Sequence, residues 1–166
     1  MRRVAAGLVA ALGVLGVLAV HAPSAVEADS RRTTGSARAV LPVDGPIVRP
    51  FDPPTRRYGA GHRGVDIAAV PGTPVVAALA GTVTFSGTVA RRGWVTVDHG
   101  GGLDTTYGTL DPRGVTAGQR VAAGQELGRL AARVEHLDWG ARLDDEYIDP
   151  LRLLGRWRPH LVRLPR

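Results

Sequence analysis

Two short segments of the chain carry side chains that can bind a metal ion. Residues 62–66 have the sequence His-Arg-Gly-Val-Asp, and residues 136–138 have the sequence His-Leu-Asp. Imidazole nitrogens and carboxylate oxygens are both ordinary ligands of divalent ions such as zinc. We therefore expect a metal-binding site where the two segments meet. The candidate residues of this site are His62, Asp66, His136 and Asp138.

His62 and Asp66 can bind the same ion only if the backbone bends between them. On a straight strand their Cα atoms would lie about 13 Å apart at roughly 3.3 Å per residue, whereas a zinc ligand lies about 2 Å from its ion. The glycines and β-branched residues of this stretch oppose a helix, so we expect the bend at Gly64.

The second segment is expected to lie on a strand. Residues two apart on a strand point to the same face, so His136 and Asp138 could both reach one ion while Leu137 points into the core. Trp94 and Trp139 also fall where buried strands are expected. We assign both tryptophans to core packing rather than to the stacking of sugar rings.

The remaining pattern predicts an all-β fold, a compact antiparallel β-sheet domain with one short C-terminal helix. Short runs of Val, Ile, Leu and Thr alternate with Gly and Pro, without a helical period. Asp149 is a suitable N-cap for the helix, Pro150 suits its first turn, and Gly155 would end it. Residues 99–102 predict a hairpin turn. The predicted strands are 47–51, 65–68, 81–89, 94–99, 103–107, 125–130 and 137–142.

A small internal repeat lies between residues 115 and 128. A Gly-Gln pair recurs after six residues, at Gly118-Gln119 and at Gly124-Gln125, which predicts two tight β-corners. Similar repeats occur in biotinyl and lipoyl carrier domains, whose chemistry requires a lysine. The chain has no lysine, so this class of protein is excluded.

The N-terminus has the pattern of a secretory signal peptide over residues 1–28. A basic start is followed by an uninterrupted apolar run and then by small residues, with cleavage expected after Ala28 or Ala22. An uncleaved membrane anchor is the alternative, because the apolar run is near the lower limit of a spanning length. In both cases the domain would lie outside the membrane. We expect a secreted protein associated with the cell wall.

Three further segments complete the predicted organisation. Residues 29–40 form a polar linker, residues 41–155 the folded domain, and residues 156–166 a basic tail. The chain has no cysteine, so disulfides cannot stabilise the domain. Its formal net charge of +6 favours an anionic partner, such as a cell-wall polymer or lipid headgroups. Export and the scarcity of Phe and Tyr argue against nucleic-acid binding.

Five blocks of the sequence, taken in order, resemble the lysostaphin and LytM-type zinc metallopeptidases, which are peptidoglycan endopeptidases. The resemblance covers about residues 41–155. It implies a secreted enzyme with a compact antiparallel β fold and a long open groove, which hydrolyses peptide crosslinks of bacterial peptidoglycan. The blocks are GHRGVDIAAVPGTPVVAALAGTV, WVTVDHGGGLDTTYGTL, VTAGQRVAAGQELG, HLDWG and YIDPLRLL.

The resemblance also implies roles for single residues. Three protein ligands hold zinc in this family, and the matching positions are His62, Asp66 and Asp138. His136 matches one of two histidines beside the attacking water, which implies a catalytic role in proton transfer. The other histidine is replaced by Thr109, and Asp138 stands where the family has histidine. Two of the five family positions are therefore substituted.

These substitutions leave two functions open. Thr109 cannot act as a base near neutral pH, and a second carboxylate ligand weakens the Lewis acidity of a bound ion. The chain is either a zinc metalloendopeptidase with a weaker zinc site, or a catalytically degenerate relative. A degenerate relative would bind wall peptide or regulate a separate wall hydrolase. A site without metal is also open, in which Asp138 pairs with Arg142 and His62 is an ordinary loop histidine.

Overall fold

The structure, a computed structural model, describes residues 39–56 and 59–155. The predicted signal peptide and basic tail, and nearly all of the predicted linker, lie outside this range. Among the described residues, none of the helical segments has the length and apolar character needed to cross a membrane.

The described residues form eleven strands, and all strand pairs are antiparallel. The main sheet has eight strands in the order β1-β2-β10-β6-β5-β4-β8, with β11 paired to β10. A smaller sheet has the order β3-β9-β7. The strands are β1 (Ile47–Arg49), β2 (Gly64–Ala68), β3 (Pro74–Val76), β4 (Gly81–Val89), β5 (Arg92–Asp98), β6 (Leu103–Gly108), β7 (Leu110–Arg113), β8 (Arg120–Val121), β9 (Glu126–Leu130), β10 (His136–Leu143) and β11 (Glu146–Ile148).

Strand β10 lies in the middle of the main sheet and separates the core from the open face. Leu137, Trp139 and Ala141 point into the core and are buried, whereas the residues between them are only partly covered. This alternation follows from the two-residue period of a strand. Because β2 flanks β10 and also has one face in the core, the polar residues of both strands share the opposite face, which we call the open face although Asp66 is itself buried there.

The all-β prediction is confirmed, and every predicted strand overlaps an observed one. The positive φ angles of Gly118 and Gly124 confirm the two β-corners, and those of residues 100–102 confirm the hairpin turn. A 3-10 helix at Pro150–Leu154 follows Asp149, whose side chain accepts a hydrogen bond from the backbone N–H of Leu151. The short strands β3, β7, β8 and β11 were not predicted, because two to four residues carry too little periodicity.

Candidate metal centre

His62 is fixed on the loop that leads into β2. Its backbone exchanges hydrogen bonds of 2.6 and 2.9 Å with that of Asp52. Its Nδ1 lies 2.9 Å from the carbonyl oxygen of Pro50. Since a carbonyl can only accept, Nδ1 carries the proton, and Nε2 faces Asp66 Oδ1 at 3.2 Å. This orientation resembles that of a metal-binding histidine, whose second ring nitrogen is usually held by a backbone carbonyl.

Asp66 and Asp138 face each other across β2 and β10. They are direct partners in the antiparallel register, so both carboxylates lie on the open face of the sheet. One ligand atom from each of His62, Asp66 and Asp138 lies within 4.8 Å of the other two. The structure thus brings together the three proposed ligands from one loop and two strands.

The bend between the first two proposed ligands lies before Gly64, so the predicted position was wrong. The chain bends at Gly61 and at Arg63, whereas Gly64 already belongs to β2. A Cβ at Gly64 would lie 2.5 Å from the carbonyl oxygen of Trp139. Glycine is therefore needed there for the close approach of two strands, a requirement that local sequence does not reveal.

His136 lies beside this group at the start of β10. Its Nε2 is 4.0 Å from Asp66 Oδ2, and its side chain is 40% exposed. It shares the open face with Asp138, two residues further along the strand. A solvent-accessible imidazole next to the three candidate ligands is in a suitable place to exchange protons with a reacting water.

Thr109 lies at the same end of the site but turns its side chain to the backbone. Its hydroxyl is 2.5 Å from the carbonyl oxygen of Gly108 and 3.1 Å from that of His136, and because a carbonyl can only accept, the hydroxyl directs its single proton at these two oxygens. The residue is 4% exposed and has a φ of 67°, which is unusual for a β-branched residue. Thr109 therefore contributes to the packing beneath His136 and provides no acid or base.

The electrostatics of the group fit a bound cation. Burial raises the pKa of Asp138 and the charge of Asp66 raises it further, while His62, His136 and Arg92 act in the opposite direction. A divalent ion would relieve the repulsion between the two carboxylates. It would also accept the lone pair that His62 Nε2 directs at Asp66. One imidazole nitrogen and two carboxylate oxygens are a suitable donor set for zinc and for harder divalent ions.

A cavity of about 270 Å³ adjoins the candidate metal centre, and one residue of its lining contradicts a prediction from the sequence. Trp94, assigned to the core from the sequence, instead lines this cavity together with His62 and Asp138. Its ring covers Gly108, where a Cβ would lie 2.6 Å from Trp94 Cζ3. Trp139 is fully buried, as predicted. Alternation alone cannot say which of two tryptophans faces the core when both sheet faces are partly covered.

The other titratable residues considered from the sequence have structural partners. His99 bonds the carbonyl oxygen of Ala80 through Nδ1 at 2.9 Å and Thr105 Oγ1 through Nε2 at 2.7 Å. Burial lowers the pKa of His99. Arg142 forms its ion pair with Asp145 rather than with Asp138, so the alternative of an Asp138–Arg142 pair was wrong.

Comparison with known sequences places this site within a protein family. The sequence profile of peptidase family M23 matches residues 60–150, a range that includes His62, Asp66, Thr109, His136 and Asp138. The protein Rv2891 of Mycobacterium tuberculosis (strain ATCC 25618 / H37Rv) is 42% identical over 118 residues, which cover 65% of this chain and 47% of that protein. The lipoprotein YgeR of Escherichia coli K12 is 32% identical over 136 residues, with coverage of 79% and 53%. The chain thus spans about half the length of these relatives.

Solved structures agree with this assignment. Helicobacter pylori Csd3 has a TM-score of 0.61 and 29% identity, with coverage of 70% of this chain and 33% of that chain. The catalytic domain of lysostaphin from Staphylococcus simulans has a TM-score of 0.54 and 24% identity, with coverage of 63% and 88%, a likeness that concerns the fold alone. With more than half of its residues matched by the family profile, the chain belongs to peptidase family M23.

Proposed function

We propose that this protein is a secreted metallopeptidase of the cell envelope that hydrolyses peptide crosslinks of bacterial peptidoglycan. The observation that supports this most strongly is the convergence of His62, Asp66 and Asp138 ligand atoms within 4.8 Å on an open sheet face. Membership of a peptidase family supports it further. So do relatives whose names describe a lipoprotein and a DD-carboxypeptidase/endopeptidase.

In this proposal His62, Asp66 and Asp138 hold one zinc ion. When bound, the ion would polarise the scissile carbonyl and lower the pKa of the attacking water. The surrounding residues would position the three ligands. Pro50 orients the ring of His62 through its carbonyl oxygen, and the pairing of β2 with β10 sets the two carboxylates opposite each other.

His136 is the proposed proton-transfer residue. Its exposed imidazole accepts a proton from the attacking water and later donates it to the leaving amine. Thr109 cannot share this work, because its hydroxyl donates to backbone carbonyls. The absence of a second general acid or base typically costs a factor of about 10² to 10⁴ in rate. We therefore expect slow hydrolysis.

The hydroxyl contacts of Thr109 also favour a second candidate function. A relative with too little proton transfer for turnover would keep the groove and use it to bind wall peptide, or to bind and regulate a partner wall hydrolase. Bound zinc would then stabilise the groove and would have no catalytic role. The two candidates differ in one measurable property, which is metal-dependent release of wall fragments.

The test is the release of soluble fragments from purified peptidoglycan by the mature protein. The proposed enzyme releases fragments with zinc, and a chelator abolishes the release. His136→Ala should lower the rate by about 10² to 10⁴ while retaining zinc. Glu126→Gln, a change at an exposed carboxylate that lies outside the metal group and does not line its cavity, is the matched control and should keep the wild-type rate. A zinc-loaded protein that binds peptidoglycan and releases nothing would favour the non-catalytic candidate.

The proposed organisation of the chain is a signal peptide over 1–28, a linker over 29–40, the metallopeptidase domain over 41–155 and a basic tail over 156–166. Sequencing the N-terminus of the secreted protein tests the first boundary. A start at Asp29 or Pro23 is expected, whereas a start at Met1 would show that the apolar segment is kept as an anchor.

A further inference from the structure

Two arginines surround one tyrosine beside the candidate metal centre. The guanidinium carbon of Arg63 lies 5.5 Å from the centroid of the Tyr147 ring, and that of Arg142 lies 5.7 Å from it. Arg142 and Tyr147 are direct partners in the pairing of β10 with β11, so both side chains are on the open face. We call these three residues the arginine clamp.

Arg142 has a donor that the described part of the chain does not satisfy. Its Nε is buried and has no hydrogen-bond partner there, although its NH2 group bonds Asp145 Oδ1. Buried polar groups are rarely left without an acceptor, and an unsatisfied charged donor is among the costliest. Asp145 is 91% exposed, so it screens only part of this positive charge. The Arg142 side chain is 39% exposed, so the accessible part of its guanidinium can also contact an external anion.

The arginine clamp and the metal group line the same cavity. The cavity has a volume of about 270 Å³ and is lined by all three members of the clamp. His62, Asp138 and Trp94 line it as well. A ligand in this cavity can therefore contact the metal group and the arginines together.

The geometry of β10 sets the distance between the metal group and the arginine clamp. Arg142 lies four residues beyond Asp138 on the same face of the strand. That is about 13 Å between Cα atoms at roughly 3.3 Å per residue. The long arginine side chain can shorten the gap, so an extended peptide bound over the metal group would bring a group two to four residues away to the arginines.

We infer that the arginine clamp is a subsite for a carboxylate of the substrate peptide, two to four residues from the cleaved bond. This assignment rests on the proposed function, because it places the scissile bond at the metal group. Guanidinium groups match carboxylates in shape and charge, and such hydrogen bonds are stronger than neutral ones. The clamp would select acidic over amidated wall peptides.

The test is the binding of two synthetic peptides to the full mature protein in the presence of a chelator, so that no cleavage occurs. One peptide is a peptidoglycan stem peptide with free carboxylates, and the other is the same peptide with every carboxylate amidated. Calorimetry should show the acidic peptide bound about ten- to a hundredfold more tightly by the wild type. Arg142→Gln, and independently Arg63→Gln, should reduce this preference to about twofold or less.

Arg129→Gln is the matched control. Arg129 is an exposed arginine ion-paired to Glu126, so its replacement lowers the net charge equally without touching the clamp. It should keep the full preference for the acidic peptide. Equal binding of the two peptides by the wild type, no binding of either, or an undiminished preference in both clamp variants would overturn the assignment.

Metal binding measured on the same protein without the chelator separates this inference from the proposed function. A protein that prefers the acidic peptide but binds no metal would contradict the metallopeptidase and leave the carboxylate subsite supported. A protein that binds metal and cuts peptidoglycan without any preference would overturn the subsite alone.

Discussion

In the proposed site, the chemistry depends on two residues that the resemblance marks as substituted, Asp138 and Thr109. As a ligand, Asp138 would add a second negative charge, which would favour harder cations over zinc and lower the Lewis acidity of the ion. Thr109 fills a buried position and bonds the backbone carbonyl of His136, so it stabilises the strand that carries the proposed base. In this proposal Asp138 alters the metal preference and Thr109 alters proton transfer, so substitutions at the two positions can restore the two properties separately.

The double substitution Thr109→His with Asp138→His tests this account. We expect tighter zinc binding, because an imidazole replaces the second carboxylate, and a rise in peptidoglycan hydrolysis of about 10² or more from the additional proton-transfer group. Competition with a zinc indicator and fragment release measure the two effects. Thr109→Ser with Asp138→His, which keeps a hydroxyl at 109, should gain the same zinc affinity but a smaller rise in hydrolysis, because it restores the Lewis acidity of the ion without adding a proton-transfer group. A folded, zinc-loaded double variant with no gain in hydrolysis would contradict the account of Thr109.

Tyr107 gives a prediction about stability at alkaline pH. The residue is fully buried, and burial raises the pKa of its phenol to about 12. In the unfolded chain the pKa is about 10. Because the folded-state value is higher, the stabilisation by neutral Tyr107 is complete below about pH 10 and is lost as the pH rises towards 12.

The sequence makes this effect easy to isolate, since the chain has neither lysine nor cysteine. Tyr107→Phe should be less stable at neutral pH, because the backbone N–H of Ala78 loses the phenol oxygen at 2.7 Å. Its free energy of unfolding should fall less between pH 10 and pH 12 than that of the wild type. Denaturant melts at a series of pH values measure this slope. Tyr147→Phe, at a half-exposed position, should keep the wild-type slope.

At the scale of elements, the site depends on the close approach of β2 and β10. Gly64 and Gly140 are register partners in this pair. A Cβ at Gly64 would lie 2.5 Å from a backbone oxygen of β10, whereas a Cβ at Gly140 would meet only the carbonyl oxygen of Arg63 at 3.6 Å. The two glycines therefore differ sharply in the space available to them.

Gly64→Ala should push β2 away from β10 and so separate Asp66 from Asp138. We expect a loss of about 1–3 kcal/mol in the free energy of unfolding, together with weaker metal binding. Gly140→Ala is the matched control and should change both quantities little. Thermal melts and metal titration of the two variants measure the difference. Similar losses in both variants would show that the register of this pair does not position the carboxylates.

How much of the fold could be predicted from the sequence varies with the element. The long strands β4, β5, β6 and β10 have clear alternation and flanking turns, and all were predicted. The position of the bend, the role of Gly64 and the orientation of Trp94 depend on contacts between strands distant in sequence, which a local pattern does not contain. The arginine clamp was missed for the same reason, since β11 is too short to predict.

At the scale of the whole molecule, charge is expected to bring the protein to its substrate. The chain has 21 basic and 15 acidic residues, and all the basic residues are arginines. Cell walls that carry anionic polymers attract such a protein through long-range electrostatics. These interactions are screened by salt, because the Debye length falls from about 10 Å at 0.1 M to about 3 Å at 1 M.

Binding of the protein to purified cell walls should therefore weaken as sodium chloride is raised from 0.1 to 1 M. Co-sedimentation with walls measures the bound fraction. Walls from which anionic polymers have been removed serve as the control and should bind less protein at low salt, with a smaller dependence on salt. Binding that is unchanged by salt on both kinds of wall would show that the net charge does not drive association.

The proposed metallopeptidase requires that His62, Asp66 and Asp138 hold one divalent ion on the open face of the main sheet. Equilibrium dialysis of the mature protein against zinc, followed by elemental analysis, tests it most directly. The predicted result is one zinc ion per chain in the wild type, with loss of that ion in a folded Asp138→Ala variant and retention in Asp145→Asn. A wild-type protein that stays metal-free at saturating zinc, or an Asp138→Ala variant that keeps full zinc occupancy, would contradict it.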